Sequence, residues 1–208
     1  GERINPTGRK KLAAEIKAGS FISVKKEAIE QIRAGADILD VNMGVGGIDQ
    51  TAAMHKAITE IAQLVDVPLA IDTSDATALE AGLKAYPGRA LINSVSAEPE
   101  RLAQFLPLAK KYGAAILCLP LSAAGVPKTA VERCNLVEQI ISEAQQYGLK
   151  AGDFLLDGLV MTAAADASAG RETLATLQLY REKFGYPVTM GLSNISFGLP
   201  NRPLINST

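Results

Sequence analysis

The feature that most restricts this chain is a repeated order of short apolar runs and helical stretches. Residues 36–42, 67–71, 89–92, 114–119 and 153–156 are strand-like and largely apolar, with Asp37 and Asp40 interrupting the first, and another apolar run leads into Gly191-Leu192-Ser193-Asn194. Between them, residues 21–34, 49–65, 76–85, 99–112, 129–147 and 170–184 carry apolar positions at helical spacing. Gly35 closes the first of these helices and Pro99 opens the fourth, as their backbone preferences favour. A strand that is apolar on both faces is covered on both sides, and strands joined by helices run parallel. Two architectures fit, a doubly wound sheet and a β/α barrel. With a stub at Glu2–Asn5 the chain offers seven strand-like segments. A barrel needs eight strands and typically about 250 residues. The expectation is therefore an α/β fold, a (β/α)8 TIM barrel that is truncated. About seven β/α units are present in one domain, 1–208, incomplete at both ends, with the last unit missing after a helix that begins at Asn201-Arg202-Pro203.

In a β/α barrel the chemistry sits at the C-terminal ends of the strands. Here those ends carry Asn5, Asp40 and Asn42, Asp72, Asn93, Asp157 and Asn194. Asp and Asn are also favoured in turns, which explains any one of them. The whole set is less easily explained so, because Asp72, Asn93, Asp157 and Asn194 are each read as directly ending an apolar run. They are taken as a shared site, with Asp40 suited also to a purely structural acceptor's role.

The chemistry of such a ring can be narrowed. It has no strand-end lysine for a Schiff base. His55 is the single histidine and Cys118 and Cys134 lie far apart, so a zinc site has almost no ligands to draw on. His55 lies off its helix's apolar stripe and is expected to be solvated, and both cysteines are expected to be packed, reduced thiols of a cytoplasmic protein. Gly44-Val45-Gly46-Gly47 is too weak a match for a phosphate loop. A net charge of -1 gives no nucleic-acid face, and no apolar run has the length of a membrane span. Lys110-Lys111 suit a helix C-terminus. Carboxylates and amides together suit a flat heterocycle with donors and acceptors. A pterin presents two parallel N–H donors that one carboxylate can accept, and amides can serve the rest.

The motifs Gly1-Glu2-Arg3-Ile4-Asn5, Leu39-Asp40-Val41-Asn42, Ile71-Asp72-Thr73-Ser74, Ile92-Asn93-Ser94 and Gly191-Leu192-Ser193-Asn194-Ile195-Ser196 occur in this order, followed by Asn201-Arg202-Pro203. As an ordered set they resemble the pterin-binding methyltransferase family, which includes the folate domain of cobalamin-dependent methionine synthase and the methyltetrahydrofolate:corrinoid methyltransferases. The resemblance implies a barrel that binds 5-methyltetrahydrofolate as methyl donor. It implies transfer of the N5 methyl to cob(I)alamin on a corrinoid protein or cobalamin domain, in one-carbon metabolism and methionine biosynthesis. It assigns Asp72, Asn93 and Asp157 to the pterin ring, Asn194 to N5 and Arg202 to the folate tail, with Gly191, Ser193, Asn5, Asp40 and Asn42 counted as substrate-binding. Asn194 and Asp72 are the expected catalytic pair, the amide accepting from a protonated N5 and Asp72 belonging to the proton's route. A homodimer is an assembly that the resemblance allows.

One departure stands out. Many relatives follow the aspartate matching Asp157 with proline, where this chain has Gly158. Dihydropteroate synthase is a related barrel, but its Asn-Val-Thr-Pro and Gly-Gly-Glu-Ser segments are absent. A synthase-like pterin enzyme and a non-catalytic folate-binding module are the alternative readings. A stand-alone methyltransferase and a methionine synthase module are both compatible with the motifs.

Overall fold

The computed structural model describes residues 4–207. Its helices are α1 (Lys10–Lys17), α2 (Ile22–Arg33), α3 (Gln50–Ala62), α4 (Ala76–Ala85), α5 (Pro99–Tyr112), α6 (Ala130–Gln146), α7 (Ala169–Lys183) and α8 (Arg202–Ser207). Its strands are β1 (Leu39–Asn42), β2 (Leu69–Asp72), β3 (Leu91–Ser96), β4 (Ala115–Leu119), β5 (Phe154–Asp157) and β6 (Val188–Thr189). Strand order follows chain order, β1-β2-β3-β4-β5-β6. The pairs β1 with β2, β2 with β3 and β5 with β6 are parallel. Successive parallel strands joined by helices are the arrangement of a TIM-type barrel, here over six strands. Among the described residues no helix is long and apolar enough to cross a membrane.

The chain divides into two compact units. The first comprises Gly1–Ser94 and Pro107–Ile116. Here Leu39 and Val41 of β1, Leu69 and Ile71 of β2 and Ile92 of β3 are fully buried, each worth roughly 1.5–3 kcal/mol of apolar burial. Period-two alternation sends Asp40, Asn42, Asp72 and Asn93 to the opposite face. Gly82 of α4 lies so close to Met54 and Ile71 that a Cβ would come within 3.0 and 3.2 Å of them, which lets the helix settle on β2 and α3. Asp49 and Asp75 cap α3 and α4, taking the N–H groups of Ala52 and of Thr77 and Ala78.

The second unit comprises Val95–Leu106 and Leu117–Thr208. Thr129 and Glu132 form a capping box at the start of α6. The predicted stripe Val137, Ile140, Ile141 and Ala144 is buried. Lys183 of α7 pairs with Glu138 of α6 at 2.7 Å, an exposed bridge that solvent largely screens.

The structure corrects several expectations. The helix α1 was not foreseen; its Leu12 and Ile16 are buried, and its Glu15 accepts the backbone N–H of Ser23 at 2.7 Å, capping α2. Residues 1–3 of the expected N-terminal strand lie outside the described residues. Ile4 makes a parallel bridge with Val41, so among the described residues six strands and this bridge stand where seven segments were expected. Asn93 does not end its strand, because β3 continues to Ser96 through buried Val95 and Ser96. Asn194 does not directly end an apolar run either. The strand β6 stops at Thr189, and Asn194 closes a one-turn 3-10 helix, Leu192–Asn194. Val188, Met190 and Leu192 are 43%, 39% and 48% exposed, so burial does not extend the strand. Both cysteines are free and buried, and His55 is exposed, as expected.

Candidate functional site

In the first unit the sheet register assembles the polar groups. Asn42, Asp72 and Asn93 are aligned across β1, β2 and β3. Residues in register on parallel strands point to one face, so their side chains stand in a row. Asp40 lies two residues before Asn42 on that same face. The Asn93 amide donates to Asp40 Oδ2 at 2.6 Å, so Asp40 orients Asn93. The Asn42 side-chain oxygen accepts from Gly44 N–H at 2.7 Å, and that of Asn5 from Thr7 N–H at 2.8 Å. For these two the turn-forming role is real.

In the second unit Asp157 is the last residue of β5, in register with Thr189. It is half-buried, and burial raises its pKa above the ordinary carboxyl value. The Leu159 N–H donates to Asp157 Oδ1 at 2.7 Å and acts in the opposite direction. Gly158 explains its own presence. Its N–H donates to Thr189 O at 2.9 Å, continuing the ladder past β5, and a proline there would remove that bond. A Cβ at position 158 would also stand 2.9 Å from Leu177.

The segment bearing Asn194 is tied to the segment after β5. Ala163 N–H donates to Ile195 O at 3.0 Å, and the Thr162 hydroxyl to Phe197 O at 2.5 Å. Gly191 sits under the Asn194 amide, where a Cβ would lie 2.8 Å from Nδ2. Ser193 contributes its carbonyl, which accepts from the Ser196 hydroxyl at 3.1 Å and from Arg202 Nη2 at 2.9 Å. Arg202 Nε also donates to the Ser196 oxygen at 3.0 Å, and the guanidinium lies 5.8 Å from the Phe197 ring centroid. Arg202 is thus exposed yet anchored, and one of its tasks is to brace the turn that carries Asn194.

Sequence reasoning missed Arg133, which is 2% exposed in α6. It donates to Gly158 O and Leu159 O at 3.3 and 3.1 Å from Nη1, and to Pro127 O at 3.4 Å from Nε. The signal was available: Arg133 precedes Val137, Ile140 and Ala144 at helical spacing, a cation placed on an apolar stripe.

Comparison with known proteins places these residues in context. A family model described as pterin binding enzyme matches residues 1–206. The chain is 32% identical to a methionine synthase of Mycobacterium tuberculosis over 220 positions, covering 100% of this chain and 18% of that protein. It is 31% identical to the methylcorrinoid:tetrahydrofolate methyltransferase of Eubacterium limosum, covering 99% of this chain and 77% of that one. The chain therefore spans less than a fifth of the methionine synthase and most of the methyltransferase. Among solved structures, the dihydropteroate synthase of Yersinia pestis superposes with a TM-score of 0.66 at 20% identity, over 86% of this chain and 72% of its own. That of Vibrio fischeri gives 0.61 at 22%, over 79% and 65%. At these identities the likeness is one of fold.

Proposed function

This chain belongs to the pterin-binding enzyme family, and from that premise we propose that it binds 5-methyltetrahydrofolate and passes the N5 methyl to the cob(I)alamin of a corrinoid protein or domain. The reading is supported by similarity along 99% of the chain to a protein named for chemistry between a methylcorrinoid and tetrahydrofolate. The observation that carries it is the Asp157 carboxylate. Its Oδ1 is held by the Leu159 N–H, and among the described residues Oδ2 accepts no hydrogen bond. Each carboxylate oxygen can accept twice, so Oδ1 anchored by one N–H together with Oδ2 can still take the paired N–H donors of a pterin.

In this proposal Asp72, Asn93 and Asp157 hold the pterin ring. Asp40 keeps the Asn93 amide turned for that task, and Asn5 and Asn42 shape the turns beside it. Gly191 and Ser193 position Asn194, and Arg202 reaches the acidic folate tail from its brace on the same turn. The corrinoid supplies a cobalt nucleophile, so no nucleophile is asked of this chain. Methyl transfer from N5 needs that nitrogen to become a better leaving group, and protonation supplies this. The Asn194 amide accepts from protonated N5 and stabilises the charge as it develops, with Asp72 belonging to the proton's route. Cytoplasm is the proposed location, consistent with two buried thiols.

The decisive experiment pairs calorimetry with turnover. The chain is expected to bind 5-methyltetrahydrofolate and to methylate free cob(I)alamin. Asn194→Ala is expected to slow transfer much more than it weakens binding. Binding without any transfer by the unaltered chain would favour a non-catalytic folate module. Condensation of a pterin pyrophosphate with p-aminobenzoate would identify a synthase instead.

A further inference from the structure

We infer that Arg133 is the positioning residue for Asp157, pinning the two peptide units after this carboxylate so that Oδ1 is occupied and Oδ2 is presented to the ligand. The inference rests on the proposed role of Asp157 toward the pterin. The first observation is burial. A guanidinium in an apolar stripe is costly unless its donors are met, and an aliphatic side chain of similar volume would fill the space at less cost. Among the described residues Arg133 has no carboxylate at ion-pair distance, and Glu172 and Asp166 act on it only through longer-range charge. Its polar contacts are backbone carbonyls, two of them the carbonyls immediately after Asp157.

The second observation is the shape of the turn. Leu159 has φ 50°, a left-handed conformation that is unfavourable for a non-glycine residue. In that conformation the Leu159 N–H turns back to Asp157 Oδ1 while its carbonyl turns toward Arg133. One guanidinium thus holds the conformation that holds the carboxylate. The other titratable groups near this cluster are Tyr180 of α7, Cys118 of β4 and Cys134 of α6, all disfavoured as anions by burial. Arg133 is the cation among them. Without it the turn relaxes toward negative φ, the Leu159 N–H leaves Oδ1, and burial alone governs Asp157.

The test reads Asp157 directly. Side-chain carboxyl resonances of the ligand-free chain are followed by carbon-detected NMR against pH, in the unaltered protein and in Arg133→Lys and Arg133→Gln. Asp157→Asn identifies the resonance by its loss. Lysine keeps the charge without the fork, and glutamine keeps one donor without the charge. The Asp157 midpoint is expected to move upward in both, more in Arg133→Gln, and folate affinity is expected to fall off at a correspondingly higher pH. Glu15, in the other compact unit, should titrate unchanged, which general loosening of the structure would not allow. An unmoved Asp157 midpoint in either variant that retains native near-ultraviolet circular dichroism overturns the assignment. The pterin reading fails separately, if Asp157→Asn binds 5-methyltetrahydrofolate as tightly as the unaltered chain.

Discussion

The polar residues at the ends of β1, β2 and β3 and those around the end of β5 are drawn from the same types, yet they are held by different means. In the first group the sheet itself does the placing. Register aligns Asn42, Asp72 and Asn93, and one side chain, Asp40, orients another, Asn93. In the second group the strand β6 is only two residues long, and position is set by arginines acting on carbonyls. Arg133 grips the turn after Asp157, and Arg202 grips the turn that carries Asn194. Glycines at 158 and 191 make room for close approach. A regular sheet suits groups that must stay fixed. A braced loop suits groups whose geometry has to answer to a ligand, because a few side-chain bonds can be adjusted without repacking a core.

The contrast can be broken or sharpened by mutation. The largest effect is expected from Asn93→Ala, which removes a charge-assisted bond to Asp40 and should cost about 2 kcal/mol in urea denaturation, together with folate affinity. If stability were unchanged, the claim that the first group is structurally coupled would fail. Gly158→Ala comes next. Its Cβ meets the flexible end of Leu177, so a loss of about 1 kcal/mol is expected, and the double variant with Leu177→Ala should be less destabilised than the two singles summed. Additivity would mean that the backbone rather than Leu177 imposes glycine. The smallest effect carries the most telling sign. Burial holds the Asp157 pKa above its ordinary value, so the folded chain binds a proton more tightly than the unfolded one. Stability then falls as pH rises from the ordinary carboxyl value through the raised one, and remains lower above it. Asp157→Asn should abolish that fall. It should be slightly more stable than the unaltered chain at neutral pH, with the difference shrinking as pH drops below the carboxyl range, and it should still lose folate. Thermal denaturation at several pH values measures this. A destabilised Asp157→Asn at neutral pH would place the second group with the first.

The sequence reading was strongest where one local rule governs. Continuous apolar runs identified β1, β2, β4 and β5 to within a few residues, and helical spacing identified α3 to α7, with α4 and α5 matched end to end. Asp72 and Asp157 stand at strand ends as expected. The reading failed where tertiary partners decide. The β3 strand runs past Asn93 because Val95 and Ser96 are buried, which no turn preference reveals. Asn194 was displaced from a strand end to a 3-10 turn because the short strand before it is exposed on its apolar residues. The placement of Arg133 on an apolar stripe was legible, but the tasks of Arg133 and Arg202 lie mostly in bonds to carbonyls, which carry no sequence signature. The glycine after Asp157 read as a departure from a pattern. In the structure it is a ladder donor and a contact surface for α7.

Gly191 has a consequence for control of the proposed chemistry. The atom that an added methyl would meet is the tip of the Asn194 side chain and not a neighbouring backbone, and the φ of -77° at position 191 is open to any residue. A methyl there would swing one amide aside and leave the rest of the chain where it is. On the proposed function, position 191 would therefore be a throttle on transfer, acting through the Asn194 amide. A chain altered only there would be a means of holding the methyl donor in place, loaded and idle.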